Sequence, residues 1–436
     1  MQVINVGLLG FGTIGTGVVR VIQNNASILE KRLGAKVRLV KIADLDIVRD
    51  RGVKIPPEIL TTNADDIVCN PDIHVVIELI GGYEPARTLV LKAIENGKHI
   101  VTANKALLAI HGQEILAAAA KNNVEVLFEA AVGGGIPIIS AIKENLCANN
   151  FHSVFGIFNG TCNYILTRMT NEGEEFSSVL KEAQSKGYAE ADPTFDVEGV
   201  DTAHKLALLI ALCFGTRVKF SEVYTEGISH ISPVDIEFAK QMGYKIKLLA
   251  IGKMEENKIE ARVHPTMIPF DYPLAQVDGV FNAVRLVGDF VGPVTLQGAG
   301  AGMDATASAV MGDVMSLGRN ILKGVQSRSP IMGYWPEYIQ DLAIRPMDDI
   351  VGPYYLRFAV KDQPGVLAQI AGILGKYDIS IASMIQPDRR AGLAVPVVLV
   401  THDAREANIK KALDEIDSLE IIQEKSHLIR IEATLD

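Results

Sequence analysis

Cysteine is scarce in this sequence, and the few cysteines do not fall into a recognisable motif. Four occur in 436 residues, and no two of them are spaced as CxxC. Disulfide-stapled domains and cysteine-ligated zinc sites need denser, closer spacing. The sequence therefore argues against a disulfide framework and against a structural zinc site, and it fits a reducing compartment.

Long apolar runs and an excess of positive charge are also missing. LALLIALCF at 206–214 is among the longest apolar runs, about half of what spans a bilayer. The chain opens on the strand-like VINVGLLGFG, without a basic segment or a cleavage site, so we expect no secretory signal. A net charge of −10 argues against nucleic acid and anionic membranes as partners. We expect a cytoplasmic protein.

A glycine-rich loop is the first motif present. Val3–Leu9 is a short apolar run typical of a strand buried on both faces. It leads into GFGTIG, which has GxGxxG spacing and is followed by apolar residues at helical spacing. In this context the glycines permit a tight turn and a close approach of the backbone to a pyrophosphate at a helix N-terminus. The predicted cofactor-binding residues of this loop are Gly10, Phe11, Gly12, Thr13, Ile14 and Gly15.

An acidic residue ends the second predicted strand, 37–43. Asp44 in ADLD is placed to bind the adenosine ribose hydroxyls, and a carboxylate there favours NAD over NADP. Arg49 and Arg51 would favour NADP instead. The alternative is that ADLD is a polar loop, so the sequence leaves the cofactor as NAD or NADP.

Strands and helices alternate through the first third of the chain. Apolar runs at 74–80, 99–102 and 124–128 are separated by helical stretches at 85–96 and 106–121. This alternation predicts a doubly wound parallel sheet, whose ligand crevice lies at the carboxyl ends of the strands. Lys105 directly follows a strand, so we expect it near the nicotinamide end of the cofactor and in contact with substrate.

An acidic stretch precedes a predicted apolar helix in the middle of the chain. Five carboxylates lie within twelve residues of GYAEADPTFDVEGVDTAHKL, 187–206. Asp201 and Lys205 are four residues apart and share one helix face. One interpretation is an N-terminal cap with a surface ion pair worth about 0.3–0.5 kcal/mol. The other is a cleft in which carboxylates receive an ammonium group while the lysine handles a proton.

Several long motifs, in order, resemble homoserine dehydrogenases over essentially the first 350 residues. They are LLGFGTIGTGVV, TANKALLA, EAAVGGGIPII, NGTCNYIL, GYAEADPTFDVEGVDTAHK and LQGAGAGMDATASAVMGDV. The resemblance implies NAD(P)-dependent interconversion of aspartate 4-semialdehyde and homoserine, on the route to threonine and methionine.

The resemblance also assigns roles to individual residues. Lys205 would handle the proton on the substrate oxygen, with Lys105 assisting, and which of the two is the acid–base group stays open. Glu190 and Asp201 would bind the substrate and its amine, supported by Asp196. The late glycine run GAGAG, 298–302, would return to the cofactor domain and touch the nicotinamide end through Gly302.

A monovalent, sodium-like cation is a further implication of the resemblance. Its ligands would be the side chain of Glu129 and the backbone carbonyls of Val132, Gly134 and Ile136, since oxygen ligands suit a hard cation. From the residues alone, the glycine run simply lets the chain turn.

The C-terminal part has its own pattern, βαββαβ in about eighty residues, typical of a ferredoxin-like layout. Its DQPG turn, 362–365, resembles the effector loop of ACT domains, which pair and bind amino acids. Threonine would be the natural effector, and a homodimer or homotetramer is expected.

The predicted fold class is α/β, with a Rossmann-like doubly wound parallel sheet, a mixed α/β catalytic domain and a C-terminal ferredoxin-like ACT domain. Ile136–Ala148 is predicted as a helix leaving the first sheet, and strands are expected at 246–251 and 259–263. The predicted segments are the dinucleotide-binding domain 1–136 (completed by about 298–320), the substrate and dimerisation domain 137–297, a linker 321–352 and the ACT domain 353–433.

Two other functions are consistent with parts of the sequence. Cys162 could be a thiolate nucleophile, as in phosphate-dependent aspartate-semialdehyde dehydrogenases, although no histidine lies near it in sequence and cysteine is commonly buried. A non-catalytic amino-acid sensor built on a dinucleotide-binding scaffold is the other, and the two lysines and the acidic stretch argue against it.

Overall fold

The computed structural model describes residues 2–325, 328–386 and 395–435. By packing, the chain divides into two units. Unit 1 comprises residues 1–160, 201–223 and 281–342, and unit 2 comprises residues 161–200, 224–280 and 343–436. These limits differ from the predicted functional domains, because 201–223 packs with the dinucleotide-binding part and the ACT region packs with 224–280.

The strands are numbered along the chain. They are β1 Val3–Leu9, β2 Lys36–Ala43, β3 Leu60–Thr61, β4 Val75–Glu78, β5 His99–Thr102, β6 Val126–Leu127, β7 Phe151–Ile157, β8 Tyr224–Thr225, β9 Tyr244–Glu255, β10 Lys258–Pro269, β11 Phe281–Gly288, β12 Gly292–Ala299, β13 Ala343–Ile344, β14 Val351–Gly352, β15 Tyr354–Val360, β16 Ile381–Ile385, β17 Val395–Thr401, β18 Ala404–Arg405 and β19 Ile422–Ile431.

The α-helices are numbered in the same way. They are α1 Thr13–Asn24, α2 Ala26–Leu33, α3 Asp65–Val68, α4 Ala86–Glu95, α5 Lys105–Lys121, α6 Ile138–Ser140, α7 Gly160–Glu172, α8 Phe176–Ser185, α9 Thr194–Val197, α10 Val200–Phe214, α11 Pro233–Gln241, α12 Met303–Lys323, α13 Val366–Lys376 and α14 Glu406–Asp417. In the described residues, no helix is long and apolar enough to cross a membrane.

Unit 1 contains a parallel sheet with strand order β3-β2-β1-β4-β5-β6. This is the order of a dinucleotide-binding fold, whose ligand crevice opens beside β1 and β4 at the carboxyl ends of the strands. Ile4, Val6 and Leu8 of β1 join one core cluster, whereas Leu9 joins another. Because successive side chains of a strand point to opposite faces, both faces of the sheet are covered, which is why these strands are almost wholly apolar.

Helix α12 also belongs to unit 1. Its residues Val310 and Val314 pack in the same core cluster as Ile4 and Val6 of β1. A Cβ at Gly17 of α1 would lie 2.7 Å from Cγ of Met303, so the two helices approach very closely there. The segment after GAGAG therefore covers one face of the parallel sheet.

The helix predicted at 136–148 is shorter in the structure, where helical residues run without a break over 138–145. The structure has a single turn, α6, followed by a π-helical turn at Ala141–Asn145. The side chain of Glu129 accepts the backbone N–H groups of Ile139 and Ser140, both at 2.8 Å. A carboxylate from outside the helix thus takes the first free N–H groups, a capping contact that helical periodicity does not reveal.

Unit 1 also contains three antiparallel strands, β7, β11 and β12, with β11 in the middle. Helix α10 of the same unit is buried on nearly every side, and only Val200 and Ala211 are more than slightly exposed. A helix that is apolar all round is expected to lie in a core. Asp201 and Lys205 are therefore charged residues on a buried helix.

Unit 2 is built around the long hairpin of β9 and β10 and the ferredoxin-like module β15-α13-β16-β17-α14-β19. The module is the predicted βαββαβ pattern, and the described part of its sheet has the order β19-β15-β17-β16. In this pattern the stretch LAVPVVLVT, 393–401, is a strand, and its first two residues, 393–394, lie outside the described residues. The hairpin strands are longer than predicted, since they run over Tyr244–Glu255 and Lys258–Pro269.

Both ends of the segment predicted as a linker, 321–352, belong to regular elements of the two units. Helix α12 extends to Lys323, β13 pairs with β10 at Lys258 and Ile259, and β14 pairs with β18. Proline-rich composition favoured a linker, but proline also suits the short turns between such edge pairings.

Candidate active site

The glycine-rich loop has the geometry that its sequence predicts. Gly10 has φ +93°, and a Cβ there would lie 2.6 Å from the carbonyl oxygen of Leu79. A Cβ on Gly15 would lie 2.3 Å from the carbonyl oxygen of Gly10. At Gly12 a Cβ would meet no atom within 4 Å, so the backbone at the start of α1 faces open space. Thr13 and Ile14 begin α1, and free N–H groups at such a helix start suit a phosphate.

Asp44 follows β2 and is already engaged by the protein. One carboxylate oxygen accepts the N–H of Phe11 at 2.5 Å, and the other accepts the N–H of Asp46 at 2.9 Å. The guanidinium of Arg51 stands 4.7 Å from the ring centroid of Phe11, and its Nη2 lies 3.6 Å from Asp44 Oδ1. Asp44 thus braces the glycine-rich loop, and Arg51 offsets its charge. Arg49 is exposed on the same loop.

A buried carboxylate ties together the carboxyl ends of β4 and β5. Glu78 is fully buried, accepts the N–H of Ile80 at 2.8 Å, and accepts the hydroxyl of Thr102 at 2.6 Å. The Thr102 hydroxyl in turn accepts the N–H of Asn104, whose side chain caps α5 by accepting the N–H of Leu107. These contacts set the start of α5, where Lys105 is the first residue.

Lys105 and Lys205 meet on one carboxylate, and we call these three residues the Lys–Asp–Lys cluster. Nζ of Lys105 lies 3.0 Å from Oδ1 of Asp201, and Nζ of Lys205 lies 2.7 Å from Oδ2 of Asp201. The Asp201 side chain is 6% exposed and that of Lys205 is 10% exposed, whereas that of Lys105 is 32% exposed. The predicted i,i+4 pair of α10 therefore exists, but it is buried rather than on the surface.

Burial alone would make Asp201 harder to ionise. Burial raises the pKa of Asp201, but Lys205 and Lys105 more than offset this effect, so the pKa lies well below its ordinary value. Asp201 is therefore a carboxylate at neutral pH. It holds two ammonium groups side by side against their mutual repulsion.

Three polar groups of this site escaped the sequence analysis. The carbonyl oxygen of Phe158 accepts from Nζ of Lys205 at 2.7 Å and from the side-chain amide of Asn282 at 2.8 Å. The amide of Asn159 donates to Asp201 Oδ2 at 3.1 Å. A backbone carbonyl has no sequence signature, but Asn159 opens the quoted NGTCNYIL motif and could have been marked from it.

Glu190 and Asp196 belong to unit 2, whereas Asp201 belongs to unit 1. Glu190 is exposed. Asp196 lies in α9, where its Oδ2 is 3.4 Å from the hydroxyl of Thr161 and its carbonyl oxygen accepts from the thiol of Cys162. The thiol of Cys162 is fully buried, so in the described structure it packs inside unit 2 and is not presented as a nucleophile.

The loop proposed to hold a cation is buried in unit 1. Glu129, Val132 and Ile136 are all less than 10% exposed, and Gly133 and Gly134 have positive φ. Burial raises the pKa of Glu129, although the N–H groups of Ser140 and Ile139 favour its charged form. Within the described residues, no three His, Cys, Asp or Glu side chains form a metal-binding group.

The late glycine run packs against that loop. A Cβ on Gly134 would lie 2.5 Å from the backbone of Gly300, and a Cβ on Gly300 would lie 1.9 Å from the Asn282 side chain. Gly302 has φ +105° and stands at the N-terminus of α12. Its context is a strand, a turn and a helix, but the helix returns to the first sheet, so the run opens no second dinucleotide fold.

A dinucleotide-binding sheet and two lysines paired with a buried carboxylate are typical of nicotinamide-dependent oxidoreductases. In this chain they are accompanied by a ferredoxin-like module.

Comparison with known proteins specifies the family. Family models match for the homoserine dehydrogenase NAD-binding domain over residues 10–129, for homoserine dehydrogenase over 137–315 and for the ACT domain over 354–421. Homoserine dehydrogenase of Neisseria gonorrhoeae is 46% identical over 436 residues, covering 100% of both chains. This chain belongs to the homoserine dehydrogenase family, and the family resemblance, the fold class and the enzyme class expected from the sequence are confirmed.

Solved structures agree with this assignment. The crystal structure of a homoserine dehydrogenase from Thiobacillus denitrificans is 46% identical, covers 99% of each chain and has a TM-score of 0.93. A hyperthermophilic archaeal homoserine dehydrogenase in complex with NADPH is 26% identical, with a TM-score of 0.61, and covers 72% of this chain and 97% of its own.

Proposed function

We propose that this chain reduces L-aspartate 4-semialdehyde reversibly to L-homoserine with NADPH or NADH. The observation that carries this proposal is the Lys–Asp–Lys cluster, in which two ammonium groups are held next to the carboxyl end of β5. The relatives are homoserine dehydrogenases, which supports the choice of substrate. In the cell the reaction would serve threonine and methionine synthesis in the cytoplasm.

The nicotinamide supplies or accepts the hydride when it is bound. The residues proposed to hold the dinucleotide are those of the glycine-rich loop (10–15), with Asp44, Lys105 and Gly302. The open space at Gly12 and the start of α1 suit a pyrophosphate. Since Asp44 already accepts two backbone N–H groups and lies beside Arg51, we expect the 2′-phosphate of NADPH to be accepted.

Lys205 is our candidate for the group that moves the proton. Its ammonium is oriented by Asp201 and by the carbonyl oxygen of Phe158, so that it can hold a proton towards the substrate oxygen. A preoriented cation stabilises the negative charge that develops on an aldehyde oxygen as it is reduced. Lys105 would add a second positive charge at the same oxygen.

The carboxylates have separate roles in this proposal. Both oxygens of Asp201 are engaged by the lysines, so Asp201 would hold the two side chains in place as well as border the substrate. Exposed Glu190 would receive the substrate amine, supported by Asp196 on α9.

A monovalent cation and an effector complete the proposal. Glu129 with the carbonyls of Val132, Gly134 and Ile136 would hold the cation, because each Glu129 oxygen keeps acceptor capacity beyond one backbone N–H. The ACT domain would bind an amino acid, with threonine as the natural feedback effector, in a homodimer or homotetramer.

The test is oxidation of NADPH and NADH at 340 nm with aspartate semialdehyde, with and without threonine. We expect turnover with at least one cofactor, and its loss in Lys205→Met. Turnover by wild type that is unchanged in both Lys205→Met and Lys105→Met would contradict the proposed site. No turnover with either cofactor would contradict the proposed reaction.

A further inference from the structure

The last strand of the chain serves two structures within unit 2. Strand β19 pairs antiparallel with β15 of the ferredoxin-like module, and it pairs in parallel with β10 at Thr266 and Met267. Arg430 stands where these two pairings meet. The module is therefore joined to the β9–β10 hairpin by continuous backbone pairing rather than by a tether.

Arg430 binds two carboxylates at once, and we call Arg430, Glu226 and Glu406 the arginine cluster. Nε and Nη2 of Arg430 donate to the two oxygens of Glu406 at 3.0 and 2.6 Å. Nη1 of Arg430 donates to Glu226 at 2.7 Å. Glu406 is 0% exposed and begins α14 of the module, so one buried guanidinium links the module to Glu226.

Glu226 begins the segment that touches α9. Its backbone N–H donates to the carbonyl oxygen of Val263 in β10 at 2.8 Å. Two residues later, the N–H of Ile228 donates to the carbonyl oxygen of Val197, the last residue of α9, at 2.9 Å. A Cβ on Gly227 would lie only 2.4 Å from that same oxygen. The segment 226–228 is therefore hydrogen-bonded to α9 and packed tightly against it.

We propose that Arg430 and Glu226 are positioning residues that set the place of α9, and with it Asp196, from the ferredoxin-like module. The inference rests on the proposed function, since it takes Asp196 as part of the substrate site. Displacement of β19 would move Glu226, then the segment 226–228, then α9. The expected consequence is a change in substrate affinity at a constant rate of chemistry.

A second buried ion pair of unit 2 offers a matched control. Arg357 of β15 donates to Asp235 of α11 at 2.6 and 3.0 Å, and Asp235 also accepts the hydroxyl of Tyr355 at 3.0 Å. Asp235 is 1% exposed. This pair also joins the module to another helix, but its contacts are with Ser232, Tyr355, Arg357 and His427 rather than with α9.

The experiment compares four variants of the full chain with wild type. Glu226→Gln keeps the shape and removes the charge, and Arg430→Lys keeps the charge and loses the fork that reaches two carboxylates at once. Gly227→Ala places a Cβ 2.4 Å from the carbonyl oxygen of Val197 and 2.6 Å from Cα and Oε2 of Glu198, the residue that follows α9. The φ of Gly227 lies outside the left-handed region, so the strain falls on these contacts with the end of α9. Asp235→Asn is the control. The readouts are kcat, KM for homoserine, KM for NADP and thermal unfolding.

We expect the first three variants to raise KM for homoserine on the order of tenfold, equivalent to about 1.4 kcal/mol of binding. Their kcat and cofactor KM should stay within roughly twofold, a range worth about 0.4 kcal/mol. Asp235→Asn should lower the unfolding temperature without changing KM for homoserine.

Three results would overturn the proposal. They are an unchanged homoserine KM in Gly227→Ala, an unchanged homoserine KM in both Glu226→Gln and Arg430→Lys, or an equal rise in Asp235→Asn. If Glu226→Gln does not fold, Arg430→Lys decides the arginine link. Absence of turnover in wild type would refute the proposed function itself, which separates that failure from failure of the positioning role.

Discussion

The Lys–Asp–Lys cluster of unit 1 and the arginine cluster of unit 2 are both buried, but their charges are in opposite ratio. The first has two cations on one carboxylate, Asp201, and one of its cations, Lys105, is 32% exposed. The second has one cation, Arg430, between two carboxylates, and its side chain is 6% exposed.

The pKa shifts do not distinguish these clusters. Burial raises the pKa of Asp201 and the pKa of Glu226. Lys205 and Lys105 reverse the effect at Asp201, and His230 and Arg430 reverse it at Glu226, so both pKa values lie below their ordinary values. What differs is the charge left over and its access to solvent. Two ammonium groups on one carboxylate leave a net positive charge for a ligand. The arginine cluster leaves a net negative charge, and its carboxylates have further protein partners in His230, 3.3 Å from Glu226, and Lys410, 3.8 Å from Glu406. A buried ion pair by itself therefore indicates architecture as readily as catalysis.

Among the substitutions that test this comparison, Lys205→Met should have the largest effect, a loss of turnover. The variant keeps the apolar stem and removes the ammonium, so turnover should fall about 10²- to 10⁴-fold, the usual contribution of general acid–base catalysis. Steady-state kinetics at saturating cofactor measures this. Lys92→Met is the control, because Lys92 pairs with Asp65 on an exposed surface. A similar loss in both variants would mean that the Lys205 effect is not specific to the site.

Asp201→Asn should have the next largest effect, here on stability. The change leaves two adjacent ammonium groups without their carboxylate, and breaking a buried pair in this way costs about 3–5 kcal/mol. Since the folded pKa of Asp201 is depressed, its contribution is present above the ordinary pKa and is lost as the pH falls below it. Urea unfolding measures the free energy of unfolding of wild type and Asp201→Asn. The difference between the two should be smaller below about pH 4 than at pH 7.

The matched control for that change is Asp304→Asn, which alters an exposed carboxylate paired with Arg20 at the surface. Its stability should stay close to wild type at both pH values. If the difference in the free energy of unfolding between wild type and Asp201→Asn were constant with pH, the Asp201 carboxylate would not be specifically stabilised in the folded protein.

Glu406→Gln should show that the arginine cluster contributes to stability and not to the chemical step. The amide retains hydrogen-bonding capacity towards Arg430 but loses the charge, so we expect a stability loss of about 1.5–3 kcal/mol, the range for hydrogen bonds to charged groups. Because Glu226 still pairs with Arg430, kcat should change less than about threefold, which is under 1 kcal/mol. Thermal unfolding and kcat on the same preparation test this. A fall in kcat like that of Lys205→Met would make the arginine cluster part of the chemistry.

The smallest effect is expected at the pair of Asp44 and Arg51, which lies at the other end of the cofactor site. Arg51→Gln removes the charge that offsets Asp44, so kcat/KM for NADPH relative to NADH should fall roughly fivefold, an effect of about 1 kcal/mol. Arg49→Gln on the same loop is the comparison, and it should change the ratio less. An equal loss with both cofactors in Arg51→Gln would mean that Arg51 only braces the loop.

Much of the fold is predictable because it is written in local patterns. Strands buried on both faces are nearly continuous apolar runs, and the glycine spacing marks the turn after β1. The βαββαβ order of the C-terminal module follows from alternation alone. The helix predicted at 136–148 is present only over 138–145, and its second turn is π-helical, which apolar periodicity does not reveal. The predicted linker conceals β13, whose partner β10 lies about eighty residues earlier.

In the candidate site too, contacts between residues close in sequence were predictable and contacts between distant residues were not. The pair of Asp201 and Lys205 was visible because residues four apart share a helix face. The contact of Lys105 with Asp201 joins residues 96 positions apart and could not be read from spacing. The carbonyl of Phe158 has no side-chain signature at all. The assignment of substrate roles to Glu190 and Asp196 stays a prediction.

Periodicity, glycine spacing and motifs along the chain were enough to predict most strands and helices, a parallel first sheet, a nicotinamide cofactor and the family. Which charges share a carboxylate, which are buried and which reach solvent became visible only in the folded chain. The physical reason is that electrostatic energy depends on distance and on burial, and both are set by residues far apart in sequence.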